Sequence, residues 1–558
     1  MTLSPAAAAP SRLGRMLAPA LWGLLTFAVY FHYAQFIDKV GWNAIELIIA
    51  QKLTEHGAYA TSLDYASAVA WRPVLPTFFV TLLRLGTEDP IRIYQIACGL
   101  SFGSLVGSMF LSGRRLGNAW TGHLAALATF VCPAATTYLV HHIHSYSNVI
   151  TMGFLGLAIH ASVALLVDRS GAPAPRTGQY LRVGLWWGLA YLCRAELLLY
   201  FGVLLAVLAW QTWRVRGRFT PLLGALGMFL LLFVPYNVYA AQVNARDGIL
   251  IRKTIYGFYM SQGWADPPPD VSPDIEADGY LYAIKLYGDP LENGESLLRA
   301  LRRNPAALQR RVQLNARRFY ELHFDRKFVA PWLTGAALAL GLALAAGAVA
   351  AERRHLAVFL LGLFAAAHFV LIFHIDPRYL IIAVPPVILS AVFFFHLVAG
   401  FCVRRLTTLP AWVLPVAALG VVAFVSRDQV RELWPTGQPG GVGTAVMRAF
   451  GEHFRTNIKQ PRLTGNLEPH ILMLLGPKGG IPPEDLFLLS YFSHTAWVNG
   501  GAAGKFPRGK FYSFKDCEED YIYIPTEFGG DARFRNARKV SERDDPVLGR
   551  YTLFEMHP

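Results

Sequence analysis

The sequence predicts an α-helical polytopic membrane protein of about eleven transmembrane helices, with interfacial helices on its outer face and a small C-terminal α/β domain outside the membrane. Three observations predict this fold class. Hydrophobic residues make up 54% of the chain and charged residues only 16%, against roughly a quarter charged in ordinary globular domains. Apolar runs near the ~20 residues needed to cross a hydrocarbon core recur along the chain. Lys and Arg gather in short loops between those runs, in every second loop and so on one side. The net charge of +14 therefore reads as the positive-inside pattern of a membrane protein, and no nucleic-acid partner is expected.

The first run, 17–37, follows Arg12 and Arg15 and is long enough to span, so it is retained as a helix and not read as a cleaved leader. Further spans are expected near 91–112, 118–140, 148–167, 183–193, 197–212, 221–240, 328–350, 355–374, 379–402 and 409–425. The 183–193 run is short and shares a break with the next at Arg194-Ala195-Glu196. Short loops on one side hold Arg114 and Arg115, then Arg169, Arg176 and Arg182, then Arg214, Arg216 and Arg218, then Arg353 and Arg354, then Arg404 and Arg405. That alternation puts the N-terminus in the cytoplasm and the C-terminal domain outside, and the Ala- and Arg-rich composition points to a multi-pass protein of a bacterial inner membrane.

Three outer segments are large: 38–90, 241–327 and 426–558. The first two belong to the membrane module, 1–425, and the third is the soluble domain. In the first, 41–56 reads as an interfacial helix with Trp42, Ile45, Ile49 and Leu53 on one face, ended by Gly57. The apolar stretch 73–85 is too short to span comfortably and is expected to lie along the surface or re-enter it. The 241–327 loop is polar and broken at Pro267, Pro268 and Pro269, with a basic, helix-prone part at 298–320. In the tail, 471–475, 521–524 and 551–554 read as strands and 443–454 as a helix, so a small α/β domain is expected. The five cysteines form no CxxC pair and four lie in apolar runs, so neither a disulfide framework nor a zinc site is expected.

Polar groups in or beside spans are costly and need a reason. Asp38 lies at the exit of the first span, and Glu46 sits on the apolar stripe of 41–56. Desolvation of a carboxylate there suits proton abstraction, while a helix-terminal acid and a snorkelling surface acid are the plain alternatives. Arg72, Arg194 and Arg378 are all expected at the outer membrane boundary, where three guanidinium groups suit a lipid phosphate or pyrophosphate. The plain alternative is ion pairing, Arg194 with Glu196 and Arg378 with Asp376. His141, His142 and His144 follow the third span; His141 and His144 share a helical face and could line an active site, shuttle protons or bind a divalent metal ion. No cofactor is otherwise implied, and the loop Gly476-Pro477-Lys478-Gly479-Gly480 lacks the phosphate-loop pattern.

Several stretches together resemble the polytopic glycosyltransferases of superfamily C, especially the bacterial branch related to protein mannosyltransferases and the lipid A aminoarabinose transferase. Ala50-Gln51-Lys52-Leu53-Thr54-Glu55-His56-Gly57-Ala58-Tyr59 is similar to a run following the family's catalytic Asp. Trp71-Arg72-Pro73-Val74-Leu75-Pro76 is similar to its Arg/Lys-Pro-Pro-Leu segment, and Arg114-Arg115-Leu116-Gly117 to its basic-Leu-Gly turn. Arg194-Ala195-Glu196 resembles an Arg-Pro-Glu break, and Asp376-Pro377-Arg378-Tyr379-Leu380 a late Arg-Tyr-Leu segment. The resemblance covers most of 17–405. One departure stands out: Trp42 or Asn43 occupies the place of the family's Asp.

The resemblance implies transfer of a sugar from a polyprenyl-phosphate donor to an extracytoplasmic lipid, glycan or protein acceptor, with inversion. Asp38 or Glu46 would be the general base. Arg72, Arg194, Arg378 and Tyr379 would bind the donor phosphate, with His141, His144 and Glu196 as further polar residues of the site. A transporter or flippase for a lipid-linked or anionic solute is the alternative, weakened by the absence of an internal repeat and the few mid-span charges. A scaffold in an envelope assembly is a third reading.

Overall fold

The structure, a computed structural model, describes residues 12–36, 44–59, 74–134, 145–169, 176–214, 219–243, 255, 257–266, 275–294, 296–326, 328–405 and 413–427, and in the C-terminal part 448–449, 452, 455–456, 470–475, 496–502, 521–525, 537–545 and 549–555. The chain divides into two compact units. One comprises Met1–Tyr33, Cys98–Ile143 and Asn148–Pro435; the other comprises Ala34–Ala97, His144–Ser147 and Thr436–Pro558.

The helices in chain order are α1 (Arg12–Tyr33), α2 (Ala44–His56), α3 (Val74–Arg84), α4 (Pro90–Leu116), α5 (Ala119–Phe130), α6 (Tyr146–Arg169), α7 (Thr177–Cys193), α8 (Leu197–Arg214) and α9 (Thr220–Val243). The second large loop supplies α10 (Gln262–Ala265), α11 (Ile275–Tyr287), α12 (Leu297–Arg303) and α13 (Pro305–His323). Then come α14 (Pro331–Ala345), α15 (Arg354–Ala366) running into a 3-10 turn (Ala367–Ile372), the short α16 (Pro377–Leu380), α17 (Val384–Arg405) and α18 (Val413–Val425).

Among the described residues, six segments are long and apolar enough to cross a membrane: Pro90–Leu116, Tyr146–Asp168, Leu197–Arg214, Thr220–Tyr239, Ala351–Ile372 and Pro377–Cys402. The other expected spans hold α1, α5, α7, α14 and α18. Four of these are short, at 12 residues for α5, 17 for α7, 15 for α14 and 13 for α18. Small residues let neighbouring helices approach closely, as membrane interfaces favour. On α7, Gly184 faces the Ala225 carbonyl of α9 and Gly188 faces Leu232. Gly103 on α4 meets the backbone of Gly23 on α1.

The loop between α9 and α14 folds more fully than its prolines and charges suggest. Ile255, Phe258, Tyr259, Ala283, Tyr287 and Ala300 form a buried core, against which Ile372 and Phe373 pack. The basic stretch is α13, and its buried face reads Arg311, Asn315, Phe319 and His323, a repeat of four residues on one side of a helix.

In the second unit, α2 departs from the expected interfacial helix. Ile45 and Ile49 are buried as the stripe requires, but Glu46, Leu47, Ile48, Ala50, Gln51 and Lys52 are buried too. The physical reason is that 44–50 is apolar almost all round, which favours burial over lying half in water. The stretch 73–85 contains the helix α3, which packs on α2. The C-terminal part carries a five-stranded sheet, β1 (His470–Leu475), β2 (Ala496–Ala502), β3 (Tyr521–Pro525), β4 (Arg538–Asp545) and β5 (Gly549–Glu555), in the order β2-β1-β3-β5-β4. β1 is parallel to β2 and β3, while β5 is antiparallel to β3 and β4. The three expected strands are the three inner ones. Most of 443–454 lies outside the described residues.

Candidate active site

Arg194 organises the first unit's polar cluster. α7 stops at Cys193, Arg194 takes an extended conformation (φ −154°, ψ 122°), and α8 restarts at Leu197. The break turns the Arg194 side chain inward, where it is only 7% exposed. Its guanidinium donates from Nη2 to Glu196 Oε1 at 3.0 Å and from Nε to Glu196 Oε2 at 3.5 Å. From Nη1 it donates to Asn148 Oδ1 at 2.8 Å and to the Arg378 carbonyl at 2.6 Å. The same guanidinium lies 5.4 Å from the ring centre of Tyr379, a cation–π geometry. One arginine thus ties α6, the α7–α8 break and α16 together.

Charge and burial oppose each other here. Burial would raise the Glu196 carboxyl, but the charge and hydrogen bonds of Arg194 outweigh it and hold the group below the usual carboxylate range. Burial likewise disfavours the Arg194 cation, yet Glu196 more than compensates, so the guanidinium stays charged.

Asp376 builds the second half of the cluster. It is the N-cap of α16, accepting from the Arg378 backbone N–H at 2.7 Å, with Pro377 in the first turn, a pairing that suits helix starts. Its carboxylate also accepts from Arg378 Nε at 2.8 Å and Nη2 at 2.6 Å. The Arg378 side chain remains 43% exposed. His374 stands between Trp264 and Tyr379, with ring centres 5.3 and 5.5 Å away. Burial pushes its imidazole down to about 4, against the pull of Asp376, so it is neutral near pH 7.

The second unit holds Glu46, fully buried in the first turn of α2, where the helix dipole favours an anion. Ser147 Oγ donates to Glu46 Oε1. Nearby in sequence, Arg84 of α3 pairs with Glu55 at 2.7 Å and donates to Thr54 Oγ1 of α2.

Of the residues singled out from sequence, the structure brings Arg194, Glu196, Arg378 and Tyr379 together. Asp38, Arg72, His141, His142 and His144 lie outside the described residues. The ion pairs that were the plain alternative to phosphate binding, Arg194 with Glu196 and Arg378 with Asp376, both form. Sequence reasoning missed Asn148, His374, Trp264 and Ser147, which carry no signal of pairing before the chain is folded. Among the described residues no group of three His, Cys, Asp or Glu side chains could hold a metal ion.

No family model matches the chain, and no curated protein matches it in sequence. Solved structures do match. The crystal structure of ArnT from Cupriavidus metallidurans bound to undecaprenyl phosphate superposes with a TM-score of 0.52 at 13% identity, covering 98% of each chain. The apo oligosaccharyltransferase of Archaeoglobus fulgidus also gives 0.52, at 10% identity, over 92% of this chain and 70% of its own. Both are superfamily C glycosyltransferases. The chain therefore has the fold of the polytopic superfamily C glycosyltransferases, the family its motifs resemble.

Proposed function

We propose that the protein transfers a sugar from a polyprenyl-phosphate donor to an acceptor on the extracytoplasmic face of a bacterial inner membrane. The observation that carries this reading is the meeting of Arg194 and Arg378 across 184 residues of sequence, on a fold shared with an ArnT bound to undecaprenyl phosphate.

The two arginines take different parts. Arg194 is buried and engaged with neutral and acidic partners, so it holds the cluster in shape. Arg378 is the more exposed and meets the donor phosphate, with Tyr379 beside it and Arg72 as a further cation. The acceptor hydroxyl attacks the anomeric carbon as the bond from that carbon to the phosphate oxygen breaks. The electron pair leaves with the phosphate, and the configuration at carbon inverts. A carboxylate takes the hydroxyl proton, the role that the family resemblance gives to Asp38 or Glu46. Fixed cations stabilise charge gathering on the leaving phosphate, which can be the largest single contribution to rate.

The test is turnover of an undecaprenyl-phosphate-linked sugar by purified protein, read as released undecaprenyl phosphate. Arg378→Ala is expected to lose about a hundredfold in rate with membrane insertion intact. Equal rates in the variant and the wild type would remove Arg378 from the mechanism.

A further inference from the structure

Arg311 is fully buried in α13 and ranks among the largest wholly buried side chains. No carboxylate pairs with it among the described residues. Its Nε donates to the Phe373 carbonyl at 2.9 Å, Nη1 to Gln262 Oε1 at 2.8 Å, and Nη2 to the Phe258 carbonyl at 3.0 Å and to Ser261 Oγ. The guanidinium also lies 4.1 Å from the Phe258 ring centre. Burial pushes it down to about 10, so it remains a cation near neutral pH. One turn on, Asn315 Nδ2 donates to the carbonyls of Leu371 at 2.9 Å and Phe373 at 3.1 Å.

A buried cation with neutral partners is an expensive way to fill a core. What it secures is backbone. The 3-10 turn ends at Ile372, and the last carbonyls of a helical turn have no partner of their own. Arg311 and Asn315 supply the donors that those carbonyls lack. Three residues beyond Phe373 stands Asp376, which caps α16 and grips Arg378.

We infer that Arg311 and Asn315 are positioning residues that clamp the Phe373 carbonyl and thereby fix the 374–378 segment that presents Arg378. This rests on the reading of Arg378 as the donor-phosphate cation. Neither residue touches the donor; both act through the backbone that carries Arg378.

A double-mutant cycle tests it, reading the affinity of the purified full-length protein for undecaprenyl phosphate in detergent. Arg311→Met is expected to weaken binding about tenfold in the wild-type background and to cause no further loss in the Arg378→Ala background. Asn315→Ala should show the same dependence more mildly, and carries the test if Arg311→Met fails to fold. Unchanged affinity in Asn315→Ala and Arg311→Met overturns the clamp, as does an equal loss with and without Arg378, the mark of a general structural role. If Arg378→Ala itself binds like the wild type, the donor-site reading falls, and the clamp with it.

Discussion

The Arg194–Glu196 pair shows what a buried charge demands of its surroundings. Removing one partner leaves the other uncompensated, so Glu196→Gln is expected to lower stability by about 3 kcal/mol, the lower end for a broken buried pair because Glu196 is 25% exposed. Thermal unfolding in detergent checks this. The pair also sets an acid limit. Because the folded state holds Glu196 below the usual carboxylate range, its contribution is fully present above the ordinary value near 4 and is lost as the pH falls through the depressed one. The Gln variant should start less stable at neutral pH and show a smaller acid-induced fall. These residues were legible in sequence because charges beside membrane spans need partners, and the nearest opposite charges were two positions away in both cases. Asn148 and His374 were not legible: a neutral group 46 residues from Arg194 and an imidazole between two rings reveal themselves only through tertiary contact.

At the level of elements, what could be read depended on how far local pattern and burial agree. The inner strands β1, β3 and β5 are apolar and were readable. The outer strands were not: β4 reads Arg-Lys-Val-Ser-Glu-Arg-Asp-Asp and β2 contains Gly500 and Gly501, compositions that suit a sheet edge better than a strand pattern. The basic stretch of the second outer loop reads as helical, yet its inward face is hidden, because Arg311 lies among outward arginines such as Arg310 and Arg317. The repeat of Arg311, Asn315, Phe319 and His323 at four-residue spacing was the available signal. On α7, a glycine carries the packing. A Cβ on Gly184 would drive into the Ala225 carbonyl of α9, so Gly184→Val is expected to lower stability by about 2 kcal/mol or to separate the two helices. A lower unfolding temperature checks this, whereas an unchanged one would mean the α7–α9 contact gives way easily.

For the whole molecule, the agreement with ArnT over 98% of both chains at 13% identity follows from the physics of the bilayer. Helix length, hydropathy and the alternation of basic loops constrain a membrane fold strongly while leaving most side chains open to change. Hence the fold could be anticipated from span order and a few charged motifs, while the chemistry rests on a handful of residues. We propose that the Arg194–Arg378 cluster binds the phosphate of a polyprenyl carrier. Native mass spectrometry of the purified protein, beside Arg378→Ala, tests it most directly. A polyprenyl phosphate or its sugar conjugate is expected on the wild type, lost or much reduced on the variant. Phospholipid alone on both proteins, or a polyprenyl phosphate retained equally by the variant, would contradict it.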